Sequence, residues 1–205
     1  MNKFFLNLGN QPLANNYLIK FKKSQIKYNL KLFFNTKSKM VSISKRIPSE
    51  KMFTNNYPYR SSLSKTMRDS FYNLSLEIKQ RFNPKMILEI GSNDGALIKN
   101  FNKNEAIGIE PCKNLSLITK KMGYFTYNKY WTFKLAVKIK AKHKKIDVIY
   151  SANTLTHISN LNEVFKSISH TLSSKGILII EDPSLLECLK KIVMINFIMN
   201  IFIYF

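Results

Sequence analysis

The stretch Leu88-Glu89-Ile90-Gly91-Ser92-Asn93-Asp94-Gly95 decides the fold. Met86 to Ile90 is a short apolar run, and two glycines then bracket small polar residues. Such a pattern predicts a strand that ends in a tight turn, where the backbone can approach a ligand closely. Ala96–Phe101 has helical length, and a helix there would offer free N–H groups at its start. Some 15 residues beyond Gly95, a second apolar run, Ala106–Ile109, ends in Glu110. Asp147–Tyr150 is a third run and Gly176–Ile180 a fourth. Asn114–Met122, Thr132–Lys142 and Leu161–Leu172 are helical-length stretches between them. Strands alternating with helices predict a parallel, doubly wound α/β sheet.

The loop reads G-x-x-x-G, which differs from the G-x-G-x-x-G of dinucleotide folds. Glu89 and Asp94 flank it. Carboxylates beside a pyrophosphate repel it, whereas carboxylates beside a sulfonium with an amino-acid tail attract it. The loop therefore favours S-adenosylmethionine over a nicotinamide dinucleotide; a plain strand–turn–helix corner is the bland alternative. Glu110, at the end of the second strand, is placed to accept hydrogen bonds from a ribose diol. After the third run comes Tyr150-Ser151-Ala152-Asn153-Thr154-Leu155-Thr156-His157-Ile158. Residues at the carboxyl end of such a strand face the ligand crevice. Asn153 and His157 are thus candidates for touching methyl donor or acceptor, a packing or capping histidine being the alternative for His157. His143 and His170 are expected at the solvated surface.

Upstream, Tyr28–Phe34 and Met40–Ser44 read as two strands around the turn Asn35-Thr36-Lys37-Ser38. The first 25 or so residues lack periodicity and read as an ordered loop or short helix. Ser61–Phe82 reads as a long helix capped by Ser62 or Ser64, with Met67, Phe71, Leu74 and Ile78 on one face. The expected organisation is an N-terminal module over residues 1–60, a linking helix over 61–83, a cofactor domain over 84–191 and an apolar tail over 192–205.

Composition narrows the function. The 205 residues carry 33 Lys+Arg against 12 Asp+Glu, a net charge of +21. Only four of the cations are Arg, and Lys, Asn, Ile, Phe and Tyr together make 100 of the 205 residues. All five have codons rich in A and T, so base composition explains the charge without a nucleic-acid partner. Phosphate readers favour Arg for its two-pronged hydrogen bonding. At 45% hydrophobic the chain can bury a core. Two cysteines, Cys112 and Cys188, cannot build a disulfide framework. The run Ile192–Phe205 is shorter than a membrane span, and the start lacks the long apolar core of a signal peptide. A cytoplasmic protein without a membrane partner is the expectation.

Five stretches in order resemble one family: Leu8-Gly9-Asn10-Gln11-Pro12-Leu13-Ala14-Asn15; Tyr57-Pro58-Tyr59-Arg60-Ser61-Ser62-Leu63-Ser64; Glu89 to Gly95; Gly108-Ile109-Glu110-Pro111; and Ala152-Asn153-Thr154-Leu155-Thr156-His157. The chain resembles the sugar C-methyltransferases, which methylate a nucleotide-linked 4-keto-6-deoxyhexose with S-adenosylmethionine. The resemblance implies a Rossmann-like class I methyltransferase sheet, here incomplete. A small N-terminal module with a β-hairpin and a long helix would precede it. It implies cofactor contacts from Glu89, Gly91, Ser92, Asn93, Asp94, Gly95, Glu110, Pro111 and Asn153, with His157, Tyr57 and Tyr59 near the chemistry. A base would remove the proton beside the ketone, and the enolate would take the sulfonium methyl. The partner implied is a small nucleotide-sugar.

The chain departs from the family twice. The family's first module holds zinc with Cys pairs, but Asn35 and Ser38 stand where a C-x-x-C knuckle belongs, and no Cys precedes Cys112. No thiolate zinc site can form there, so no metal ligand is predicted, and the module must hold by packing or be loose. The family also continues past residue 190, where its base is thought to lie in a Tyr-x-Glu-His segment. The tail from Val193 to Ile203, back-translated with AT-rich codons and read from its third base, gives Tyr-Asp-Gln-Phe-Tyr-Asn-Glu-His-Ile-Tyr. A single frameshift near codons 190–193 is the expectation, with a genuine apolar tail as the alternative. A chain so shortened is expected to bind cofactor weakly, to turn over negligibly and to expose Gly176–Ile180 as an apolar edge. Two other readings stay open: an RNA or DNA methyltransferase, which the charge supports but which lacks an N/D-P-P-Y/F tetrapeptide, and a vestigial non-catalytic fragment.

Overall fold

The structure is a computed structural model that describes residues 1–18, 20, 25–182, 190, 203 and 204. The chain divides into two compact units. One is Met1–Phe53 with Asn153–Ser159 and Glu181–Phe205; the other is Thr54–Ala152 with Asn160–Ile180. The tail expectation for residues 192–202 lies outside the described residues, as do Cys188 and residues 183–189.

The first unit is built on an antiparallel sheet. Its first strand, β1 (Asn2–Pro12), pairs with β2 (Lys27–Asn35), and β2 pairs with β3 (Val41–Ile43). A loop or short helix was expected where β1 lies. The strand escapes a period-two reading because its register shifts between Phe4 and Leu6 and again between Asn7 and Asn10. Leu30, Leu32 and Val41 are buried, and Leu6, Leu8, Leu13, Tyr28, Phe34 and Ile43 pack against them. A short helix, α1 (Ser49–Met52), follows.

The turn between β2 and β3 closes without thiolates. The Asn35 side-chain oxygen accepts the N–H groups of Lys37 at 3.0 Å and Ser38 at 2.8 Å. The Asn35 carbonyl accepts the N–H of Lys39 at 2.8 Å, and Lys39 takes the left-handed conformation at φ 60°. The Asn35 amide nitrogen donates to Asn2 Oδ1 at 2.7 Å. Asparagine thus supplies the local hydrogen bonds of a tight turn. Asn35→Ala is expected to cost about 1 kcal/mol and to speed amide exchange at Lys37 and Ser38. Unchanged exchange would show that the carboxamide does not hold the turn.

In the second unit, a 3-10 turn at Ser61–Leu63 leads into α2 (Lys65–Phe82), capped by Ser64, whose Oγ accepts the Met67 N–H at 3.3 Å. Asn83, left-handed at φ 41°, ends the helix. The strands β4 (Ile87–Ile90) and β5 (Ala106–Ile109) follow, then α3 (Lys113–Lys121), β6 (Phe125–Tyr127), α4 (Phe133–His143), β7 (Ile146–Ala152), α5 (Leu161–Thr171) and β8 (Leu172–Glu181). Beyond these, β9 (Ile203–Tyr204) pairs antiparallel with β3 in the first unit.

The second sheet has the order β6-β5-β4-β7-β8. The pairs β4–β5, β4–β7 and β5–β6 are parallel. The order runs outward from β4 in both directions, so strand order reverses there, as in doubly wound nucleotide folds. The helix α2 belongs to this core: Phe71 and Ile78 are buried with Ile87, Val148 and Tyr150, and Met67 and Leu74 pack alongside. All four residues expected on one helical face therefore join this core. Ile180, on the edge strand β8, is 41% exposed. Among the described residues, no helix is long and apolar enough to cross a membrane.

Two features of the sheet differ from the sequence expectation. The helix over Ala96–Phe101 is a single 3-10 turn, Ile98–Asn100, and the Ile98 N–H goes to Glu89. The strand β6 has three residues, too few to show a period. His143 is also half-buried rather than solvated. Its ring packs on Phe125 and Tyr127, and Nε2 lies 3.3 Å from the Tyr127 hydroxyl. His170 is exposed beside Phe133.

Candidate functional site

The loop after β4 is fixed by the strand beside it. The N–H groups of Gly91 and Ser92 both donate to the Ile109 carbonyl, at 2.8 and 3.0 Å. Gly91 at φ 77°, Asn93 at φ 48° and Gly95 at φ 84° make the turn left-handed three times in five residues. Gly95 also has a packing reason. A Cβ there would stand 2.8 Å from Thr119 Cγ2 and 3.1 Å from Met122 Cε. Gly108, beside Glu89 in register, is equally crowded: its Cβ would meet Ser92 Oγ at 2.6 Å.

Three carboxyl groups converge here, all nearly buried: Glu89 is 4% exposed, Asp94 2% and Glu110 4%. Glu110 spans the loop. Its Oε2 accepts the Asn93 N–H at 2.9 Å and its Oε1 the Cys112 N–H at 2.7 Å. Burial pushes the Glu110 carboxyl up from its ordinary value, against those two amides and with Asp94 adding repulsion. Glu89 is pushed up further by burial, with repulsion from Glu110 and Asp94 added; only the Ile98 N–H opposes the shift. Glu89 Oε2 and Ser92 Oγ are buried without hydrogen-bond partners. Orphaned buried polar atoms of this kind are costly. Beside like-charged neighbours, a carboxyl so placed is suited to a cation.

The side chains of Asn93 and Asp94 reach the Tyr59–Ser62 segment. Asn93 Oδ1 accepts the Ser61 N–H at 3.0 Å, and its Nδ2 donates to the Tyr59 carbonyl at 3.3 Å. Asp94 accepts Arg60 Nε at 3.0 Å and the Ser62 N–H at 3.1 Å, and both serine hydroxyls donate to it. The Tyr57–Ser64 stretch is therefore seated on the glycine loop. Tyr57 is buried and Tyr59 is 49% exposed. Asn114, which sequence reasoning missed, holds Tyr57 at both backbone atoms. Its only signal is an asparagine in the first turn of a helix, a common capping type. Pro111 offers its carbonyl to Asn128 Nδ2 at 2.7 Å, next to Glu110. Burial raises the Cys112 thiol, and the nearby Glu110 adds to the shift.

Asn153 and His157 fall in the other unit. Asn153 is left-handed at φ 48°, and its N–H donates to the Glu181 carbonyl at 2.7 Å. His157 ends a 3-10 turn, Leu155–His157, and packs edge-on to Phe53. Burial lowers its imidazole to about 4, although a hydrogen bond to the Asn153 backbone favours the charged ring; its Nδ1 is buried without a partner. Asp182, bonded by the Thr156 hydroxyl at 3.4 Å, is raised by burial to about 6.

A doubly wound parallel sheet, a glycine loop after its central strand and an acid ending the next strand define a Rossmann-like protein of class I methyltransferase architecture. The methyltransferase-domain family matches residues 59–194, and the chain belongs to that family. A curated relative, the C-methyltransferase NovU of Streptomyces niveus, is 28% identical over 108 residues, 52% of this chain. The chain spans only 26% of that relative's length. Among solved structures, a SAM-dependent methyltransferase from Archaeoglobus fulgidus is 15% identical with a TM-score of 0.48, covering 58% of this chain and 54% of that one. The plantazolicin methyltransferase BpumL, solved with SAH, is 19% identical with a TM-score of 0.49, covering 70% and 56%. Among the described residues, no cluster of His, Cys, Asp and Glu could hold a metal ion.

Proposed function

We propose that the Gly91–Gly95 loop binds S-adenosylmethionine and that the chain serves methyl transfer to carbon on a nucleotide-linked 4-keto-6-deoxy sugar. The observation that carries the cofactor is the buried carboxyl cluster with Glu89 Oε2 left unpaired. A cation of sulfonium or ammonium type relieves that cluster; a pyrophosphate would worsen it. The acceptor rests on the ordered motifs and on a relative that is a C-methyltransferase.

Bound there, S-adenosylmethionine supplies an electrophilic methyl group. Glu89 draws the cationic end. Glu110 keeps its two amide donors and has lone pairs left for ribose hydroxyls. The backbone of Gly91, Ser92 and Asn93 and the neighbouring Pro111 line the approach. Asn93 and Asp94 contribute by holding residues 59–62 in place. His157 is proposed, on the family resemblance, as a candidate for touching the methyl donor or acceptor, the base that removes the proton being expected in the family's segment beyond residue 190. Tyr57, Tyr59 and Asn153 are proposed to border the reacting groups.

Isothermal titration of the 205-residue chain tests the reading. Saturable heat with S-adenosylhomocysteine and none with a nicotinamide dinucleotide is the expected result. Glu110→Ala should weaken the first by roughly tenfold or more, about 1.4 kcal/mol. Preference for the dinucleotide, or no binding of either, would overturn it.

A further inference from the structure

We propose that residues 55–63 form a strap across the cofactor crevice, and that Asn114 is the positioning residue that latches it. The proposal rests on the cofactor reading above. At one end, Asn114 makes three bonds to the strap. Its N–H donates to the Asn55 carbonyl at 3.1 Å, its Nδ2 donates to the Tyr57 carbonyl at 2.8 Å, and its Oδ1 accepts the Tyr57 N–H at 3.2 Å. At the other end, Asn93 and Asp94 hold Tyr59, Arg60, Ser61 and Ser62. Asn114 stands at the start of α3, just after β5, whereas Asn93 and Asp94 stand just after β4. The strap therefore runs over the carboxyl ends of two adjacent parallel strands. Ligands of doubly wound sheets bind at those ends.

Residues 55–60 of the strap form no helix or strand, and a 3-10 turn, Ser61–Leu63, ends it. Side chains from elsewhere in the unit hold it. Fixing each backbone residue costs about as much as a hydrogen bond returns. Residues 55–57, held by the Asn114 latch, are thus the weaker end of the strap, since Asp94 fixes Ser61 and Ser62 at the other, and a ligand that contacts the docked strap shifts it. By linkage, whatever weakens the latch weakens the ligand by the same factor. Pro58 restricts the undocked chain and keeps the loss of freedom small. Tyr59 is 49% exposed and so open to such contact.

Trypsin cleavage after Arg60 reads the strap directly, because Arg60 is tied to Asp94 only when the strap is seated. The full chain is digested with and without S-adenosylhomocysteine, and the dissociation constant is measured in parallel. In the unaltered chain the compound should slow cleavage after Arg60 roughly tenfold. Asn114→Ala should speed ligand-free cleavage there, erase the protection and raise the dissociation constant by roughly the same factor. The ligand-free melting temperature should fall by only about 2–4 °C, as for the loss of one net hydrogen bond. Asn114→Asp keeps the acceptor for the Tyr57 N–H but turns a carboxylate oxygen toward the Tyr57 carbonyl; it should release the strap at least as fully as the alanine variant and decides the matter if that variant does not fold. Binding without any change in cleavage, or Asn114 variants that bind like the unaltered chain, would overturn the strap and leave the cofactor reading standing. No binding at all would overturn both.

Discussion

Asp94→Ala is expected to destabilise the second unit by about 3 kcal/mol, a fall of roughly 6–12 °C in melting temperature for a chain of this size. The carboxylate is buried and receives four groups from three consecutive residues, Arg60, Ser61 and Ser62. The ion pair is the smaller part of that figure, because the Arg60 side chain is 40% exposed and its charge is screened by water. The larger part is the Ser62 N–H and the two hydroxyls, which lose their acceptor while held in place. Asp94→Asn keeps the shape and one acceptor oxygen, so it should cost roughly half as much. Thermal melts of both variants make the comparison. An alanine variant within 2 °C or so of the unaltered chain would show that water replaces the carboxylate without loss.

Gly95→Val should be worse, at roughly 3–5 kcal/mol, with no detectable binding of S-adenosylhomocysteine. Two costs combine. The backbone at φ 84° is one that a β-branched residue strongly disfavours. The new Cβ would also stand 2.8 Å from Thr119 Cγ2. Thr119 cannot swing aside freely, because its hydroxyl is 2.7 Å from that of Thr126 and both residues are buried. Gly9→Ala is the matched control. Gly9 is left-handed too, at φ 70°, but nothing lies within 4 Å of its Cβ position. It should cost only about 1 kcal/mol, the backbone part alone. Equal effects at the two sites would mean that crowding at Gly95 is unimportant.

The residues that made the fold legible are those with local patterns. Ile87, Leu88 and Ile90 are wholly buried, and a strand buried on both faces shows as an unbroken apolar run. Phe71 and Ile78 show the helical period because one side of α2 meets the sheet. The pattern failed where geometry broke the period, at the bulged β1 and the three-residue β6. It failed at Ala96–Phe101 for another reason. Helix-forming residues there follow a left-handed glycine, and the N–H of Ile98 is drawn to Glu89. In the site, sequence placed Glu89 and Glu110 by their position at strand ends. It could not show that Asn93 and Asp94 reach back some 32 residues to Ser61 and Ser62, or that Asn114 reaches back 57 to Tyr57. Partnerships that distant leave no mark in spacing.

The Asn35 turn bears on how the hairpin comes to exist at all. A knuckle tied by thiolates waits for an ion, and its folding follows the supply of that ion and the redox state of its ligands. A knuckle tied by one carboxamide carries its own closure in the chain. Isolated hairpins close in a unimolecular step on the scale of about 1–10 μs, and neither Asn35 nor Ser38 offers a thiolate for a chelator or an oxidant to act on.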